Sequence, residues 1–223
     1  MKAKLLTFCA ITLLHFYVLP ADHYCQMKKT TLQENFYNQK KEPPQYDQFI
    51  SVIDAIENGF DINAPDKNGH FPLFKLIEHL NVPVLEKLFS HPENLQITIT
   101  DTNSNTLLHK TLQTILKDNN KEAKGLKIIE LLLNHPNTAA IINTNNAEAY
   151  ETPLHMLIKK IVTNGPDSFI KLQSTLCLFL EKGADPTIVD ENGNNAAQIA
   201  RYNKQSSIAD FMINKYQKSP ANL

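Results

Sequence analysis

The 223-residue chain has no tryptophan, six glycines and three cysteines, and its charges nearly cancel at a formal net charge of −1. Each shortage removes a class of function. So few glycines leave little material for a phosphate-cradling loop, and neither a Walker loop, a G-x-S-x-G elbow nor an H-E-x-x-H helix is present. The cysteines form no C-x-x-C pair, which excludes zinc ribbons and thioredoxin-like redox chemistry. Cys9 lies in an apolar leader, so Cys25 and Cys177 remain, too few and too far apart for a disulfide framework. The balanced charge provides no basic field for nucleic acid. Lys159-Lys160 is the one dense basic pair in a helical stretch, and it reads as a solvated face.

Against these absences, 42% hydrophobic and 20% charged residues suit a folded chain rather than a disordered one. The beginning is unlike the rest. Lys2 and Lys4 precede an uncharged, mostly apolar run from Leu5 to Leu19, followed by Pro20 and Ala21. That order predicts a secretory signal peptide over residues 1–21. The run is shorter than the roughly 18 to 20 apolar residues of a spanning helix. Two alternatives stay open, an uncleaved membrane anchor and an ordinary buried helix. Residues 22–45 read as a polar leader with Lys28, Lys29, Lys40, Lys41 and Pro43-Pro44, and Thr31 to Asn38 as a short capping helix.

From residue 46 onward the sequence repeats itself. Helix starts recur at Phe71-Pro72-Leu73-Phe74, Thr106-Leu107-Leu108-His109, Thr152-Pro153-Leu154-His155 and Asn195-Ala196-Ala197-Gln198. Asp66, Asp101 and Asp190 each stand five residues before a start. A second helix with apolar residues at helical spacing follows each start: Val84, Leu85, Leu88 and Phe89; Ile128, Ile129, Leu132 and Leu133; Phe169, Leu172, Leu176, Phe179 and Leu180; Ile208, Phe211 and Met212. An earlier one carries Phe49, Val52, Ile53 and Ile56 before Asn58-Gly59.

This pattern resembles the ankyrin repeat. Thr152-Pro153-Leu154-His155 is similar to the family's T-P-L-H start letter for letter. Glu181-Lys182-Gly183-Ala184-Asp185-Pro186 with Asp190-Glu191-Asn192-Gly193 matches its helix end, hairpin and next turn, as do Asn58 to Ala64 with Asp66 to Gly69. The resemblance covers residues 46–216 and implies an all-α solenoid of stacked helix pairs with hairpin loops, in about four to five irregular repeats, ahead of a flexible tail over residues 217–223. Departures are local. The starts are 35, 46 and 43 residues apart, against a family period of about 33. The additions fall near Lys117 to Gly125 and Ile161 to Ser168, and predict longer helices with longer connecting loops. Ser90-His91-Pro92 and Asn134-His135-Pro136 replace glycine-alanine at two helix ends, and Ala147 to Tyr150 lacks the aspartate and glycine of the other turns.

The residues that tempt a chemical reading have plainer ones. His109 and His155 occupy the position where the family ties neighbouring turns by ring hydrogen bonds. His91 and His135 each precede a proline at a helix end, where a dipole partner is a better reading than a metal ligand. Asp66, Asp101 and Asp190 recur once per repeat, which argues for turn hydrogen bonding rather than acid–base work; Asp61 and Asp185 read the same way. Cys177 lies just off a buried stripe with no histidine beside it. No catalytic residue, metal site or cofactor is expected.

The resemblance places partner binding on the hairpin tips and on the exposed side of the first helices. Carried over by register, the tips are Lys67, Asn68, His70, Thr102, Asn103, Asn105, Glu148, Glu151, Glu191 and Asn194. The helix positions are Glu78, His79, Gln113, Thr114, Lys159, Lys160, Tyr202 and Asn203. Tyr202 stands out because tyrosine is enriched at binding hot spots. The expected function is an exported, monomeric module that docks a protein in its concave groove without catalysis. An export signal before irregular repeats resembles the ankyrin proteins of host-associated bacteria, which act on host proteins. A membrane-tethered scaffold is the alternative, followed by an enzyme hidden among the repeats.

Overall fold

The structure, a computed structural model, describes residues 61–218. The leader, its signal or anchor segment, the Thr31–Asn38 helix and the Phe49–Ile56 stripe lie outside the described residues, as does the tail from residue 219. Within 61–218 the chain is all-helical: α1 (Pro72–Glu78), α2 (Val82–Phe89), α3 (Leu107–Lys117), α4 (Glu122–Leu133), α5 (Pro153–Thr163), α6 (Pro166–Glu181), α7 (Ala196–Tyr202) and α8 (Ser206–Gln217). Three single 3₁₀ turns, at Pro92–Asn94, Asn119–Lys121 and Thr138–Ala140, punctuate the connections.

The helices begin where local chemistry can satisfy their first N–H groups. Thr106 and Thr152 accept from the N–H of His109 and His155, and each ring accepts in return from the threonine's own N–H. The result is a capping box closed by histidine. Asn195 and Gln198 close a third. Phe71 offers no side-chain cap, and Pro72 begins α1 where no N–H is needed.

Helices from successive pairs pack in two rows. α1, α3, α5 and α7 touch in that order, and α2, α4, α6 and α8 form the other row. One apolar core runs between them, including Leu73, Leu76, Leu108, Leu112, Ile128, Leu132, Leu154, Leu157, Leu176, Phe179, Ala200 and Met212. The second-helix stripes expected from sequence are the faces turned to it, and Phe169 of α6 meets Phe211 of α8 edge to face at 5.9 Å.

The added residues went mostly into helix, not loop. α3 and α5 have 11 residues each, against 7 for α1 and α7, and α6 reaches 16. Only Asn164 and Gly165 separate α5 from α6. The expectation of a longer loop there is therefore corrected. Between α3 and α4, Asp118 and the 3₁₀ turn do lengthen the link. Both His-Pro helix ends run into 3₁₀ turns, the irregularity their lack of glycine implied.

Candidate interaction surface

The turns that precede α1, α3 and α7 are built alike. Asp66 Oδ1 accepts from the N–H of Asn68 and His70, both at 2.8 Å. Asp101 does the same for Asn103 and Asn105, and Asp190 for Asn192 and Asn194, all at 2.9 Å. These carboxylates hold turns, as their recurrence implied, and Asp61 and Asp185 accept from Asn63 and Thr187 in the same manner. The turn before α5 lacks its aspartate, as the sequence shows. Asn146, set one residue further back, takes over the task, its Oδ1 accepting from Ala149 and Glu151. The asparagine was legible as an Asx-turn former, but the inserted residue broke its register.

Two residues before each cap the backbone turns left-handed: Gly69 (φ 80°), Ser104 (57°), Tyr150 (51°) and Gly193 (76°). Glycine takes this conformation freely, and a tyrosine holds it only under constraint. The tips are also tied to one another. Ala147 N–H donates to Asn103 O at 2.8 Å, and Glu191 N–H to Ala149 O at 3.1 Å. The last three turns therefore share one hydrogen-bonded edge.

Beneath that edge, histidines join neighbouring pairs. His109 Nε2 donates to Glu151 O at 2.8 Å and His155 Nε2 to Asn194 O at 3.2 Å. Each Nδ1 already accepts from a threonine N–H, which fixes the neutral tautomer. Burial pushes both rings below the usual histidine range, partly offset by the carbonyl each one meets and by nearby carboxylates. His135 works the same way on the other side of the stack. It is buried, accepts from Asn137 N–H and donates to Pro92 O at 3.1 Å, so its role is a tie between pairs and not the dipole contact expected from sequence. Asn63 and Asn143 clamp the next loop with both amide atoms: Asn143 donates to Gly183 O and accepts from Asp185 N–H, each at 2.8 Å, and Asn63 grips Asn94 O and Gln96 N–H.

The expected partner residues divide into three groups, exposed, half-buried and buried. Lys67, Asn68, His70, His79, Thr102, Asn103, Glu148, Glu191, Tyr202 and Asn203 are exposed. Glu78, Gln113, Thr114, Lys159 and Asn194 are half-buried and already engaged. Glu78 bridges Lys75 at 2.9 Å and Lys110 at 2.7 Å. Burial alone would raise its pKa, but the two lysines outweigh that and hold it below the usual glutamate range. Thr114 donates to Lys110 O, and Lys159 pairs with Glu151.

Three expectations are overturned by burial. Asn105 is enclosed and accepts from Gln113 and Asn146. Glu151 is buried beneath its Lys159 partner. Lys160 is wholly buried, and its ammonium meets Ile115 O at 3.0 Å, Asn119 Oδ1 at 3.0 Å and Glu122 Oε2 at 3.1 Å. It thereby caps the C-terminal end of α3 from the neighbouring pair. Lys160 lies on the buried side of α5, and Asn105 and Glu151 lie in the turns just before the caps of α3 and α5; register alone did not show how far the neighbouring pair covers them.

Sequence reasoning missed four exposed large apolar residues, Leu116 on α3, Tyr150, Ile170 on α6 and Val189. Tyr150 is 60% exposed on the tied edge, and Val189 is 49% exposed just before the last turn. The signal for Tyr150 was an aromatic residue standing where two of the other turns place glycine and the third serine. An open hollow of about 150 Å³ between α2 and α4, lined by Phe89, Leu131 and His135 among others, is well below the roughly 300 Å³ at which small-molecule pockets begin. Among the described residues no group of three His, Cys, Asp or Glu could hold a metal ion. No helix among them is long and apolar enough to cross a membrane. No family model matches the chain.

Proposed function

We propose that the chain is an ankyrin-repeat solenoid that binds a protein partner across its hairpin tips and the exposed face of α1, α3, α5 and α7, with no catalysis and no cofactor. The tied edge carries this reading. Successive turns linked by Ala147–Asn103 and Glu191–Ala149 hydrogen bonds present Thr102, Asn103, Glu148, Tyr150 and Glu191 on one rigid rim. Recurring caps, left-handed positions and histidine ties support the repeat assignment. Tyr150 and Tyr202, 60% and 71% exposed, are the aromatic anchors, because a two-torsion ring gives contact area at low entropic cost. The chain acts as a monomer after export through residues 1–21, which the mass of the mature N-terminus would check.

The test is site-specific photo-crosslinking in the full chain. A photoreactive residue at Thr102, Tyr150 or Tyr202 should capture one partner that the same residue at Gln173 or Ser207 of the other row does not. The double change Tyr150→Ala with Tyr202→Ala should weaken that complex by roughly 2 kcal/mol or more. Capture from Gln173 or Ser207 alone would move the interface to the other row and overturn the reading.

A further inference from the structure

We infer that Asn164, in the two-residue link between α5 and α6, is a site of spontaneous deamidation. An asparagine followed by glycine can close on itself. The glycine amide nitrogen bonds to the asparagine side-chain carbonyl carbon, the bond to the side-chain nitrogen breaks, and ammonia leaves carrying the displaced proton. Water then opens the cyclic imide at one carbonyl or the other, giving aspartate or isoaspartate. The sequence is hydrolytic throughout and needs only water.

Three such pairs fall among the described residues: Asn68-Gly69, Asn164-Gly165 and Asn192-Gly193. All three asparagines are exposed, and a side chain at any of the three glycines would meet open space. Access and steric room therefore do not separate them; hydrogen bonding does. Gly69 N–H is held by Asp66 O at 2.9 Å and Gly193 N–H by Asp190 O at 3.0 Å. Asn68 and Asn192 are pinned as well, their own N–H groups donating to the same aspartates' Oδ1 at 2.8 and 2.9 Å. In both tips the attacking nitrogen is occupied and the turn must open before the ring can close. Gly165 N–H has no such acceptor among the described residues, and neither does the Asn164 side chain. The Asn164 N–H donates to Lys160 O at 3.3 Å and Gly165 O accepts from Ser168 N–H at 3.1 Å, but neither bond occupies the attacking nitrogen or the side-chain amide.

The two products act differently on the link. Aspartate places a carboxylate one residue ahead of Gly165, the N-cap of α6, where the helix dipole favours negative charge. Isoaspartate adds a backbone carbon to a two-residue connection whose ends are fixed by packing of α5 on α6, and so strains that pair.

The full chain, aged at mildly alkaline pH and followed by peptide mapping, tests the inference. Asn164 should convert on the order of tenfold faster than Asn68 or Asn192, the factor expected when two turn hydrogen bonds must first break. In urea the three rates should converge. An Asn164 rate no greater than those of the tips overturns the inference, and so does a ranking that persists in urea, which would assign it to neighbouring sequence. In a chain whose Asn58-Gly59 pair is blocked by Asn58→Gln, Asn164→Gln should remove the first acidic species seen by ion exchange, and persistence of that species counts equally against the site.

Discussion

The junction between the first two helix pairs and the junction between the second and third are built from different materials. At the first, Phe74 stands where the second and third pairs have histidine, and it packs as an apolar core residue. The polar links there are the half-buried ion pair Lys110–Glu78, a long Lys127–Glu86 pair at 4.0 Å, and the Asn63 and His135 contacts to loop backbone. At the second, His109 reaches Glu151 O, Asn146 reaches Asn105, and Lys160 is sunk among Ile115, Asn119 and Glu122. One junction relies on apolar contact with charges at its rim, the other on buried polar groups that are all paired. Buried polar groups cost much when one partner is removed, whereas rim charges cost little. The two junctions should therefore differ in the size of their response to mutation, in the pH range where they weaken and in their sensitivity to salt.

The largest effect is expected at Lys160. Lys160→Met keeps most of the apolar stem but leaves Ile115 O and Glu122 without their partner. Removing one side of a buried pair costs about 3–5 kcal/mol, and the partial exposure of Glu122, 22%, puts this site toward the lower end. Urea denaturation measures it. A loss below 1 kcal/mol would mean that the middle junction does not depend on its buried charge.

His109→Phe comes next, since it gives the second junction the residue that the first one has. Glu151 O and the Thr106 cap lose their partner, and stability should fall by about 1–3 kcal/mol. The same exchange should change the response to acid. Burial keeps His109 and His155 neutral in the fold, with pKa values lowered relative to the unfolded chain. Below pH about 6.5 the unfolded chain therefore binds more protons than the folded one. Stability is full above that pH, declines as pH falls through it, and levels off below the folded pKa values. His109→Phe should make the decline shallower, and denaturation midpoints across pH 5–8 would show whether it does.

Gly125→Ala tests how closely the second pair is packed. A methyl group at Gly125 in α4 would lie 2.0 Å from Ile115 Cγ2 of α3, and Ile115 is fully buried. Alanine is the better helix former by roughly 1 kcal/mol, but overpacking costs about 1–3 kcal/mol. Destabilisation is expected, read as a lower thermal midpoint; a higher one would show that Ile115 has room to yield.

These contrasts mark what the sequence could and could not tell. The four helix starts, the apolar stripes of α2, α4, α6 and α8, and the turn aspartates were legible because each rests on chemistry between residues at most a few positions apart. Lys160 was not. Whether a lysine on a first helix points to solvent or into the next pair depends on residues some forty positions away. Tyr150 was hidden for a related reason: its turn carries one inserted residue, and Asn146 performs a task that the eye assigns to aspartate. Gly125 looked like loop composition, although its role is to let α4 approach α3.

The smallest expected effect belongs to the rim of the first junction. Glu78 is held between Lys75 and Lys110, and its side chain is about one-third exposed, so solvent and salt screen both contacts. Glu78→Gln should cost less than about 1 kcal/mol at neutral pH, and the difference should shrink further in molar salt. The lysines lower the Glu78 pKa despite its burial, so its contribution is present above the unfolded glutamate value near 4.3 and is lost as pH falls through the folded value. Variant and parent should then converge in acid, where the parent's own carboxylate is protonated. His109→Phe also predicts a difference that is largest at neutral pH and smaller in acid, but one that is insensitive to salt. It falls off from the histidine range at about pH 6.5 rather than the carboxylate range, by loss of the histidine tie rather than of a charge. If Glu78→Gln instead proved as costly as His109→Phe and equally indifferent to salt, the two junctions would be energetically alike, and the division between paired interior and charged rim would fail.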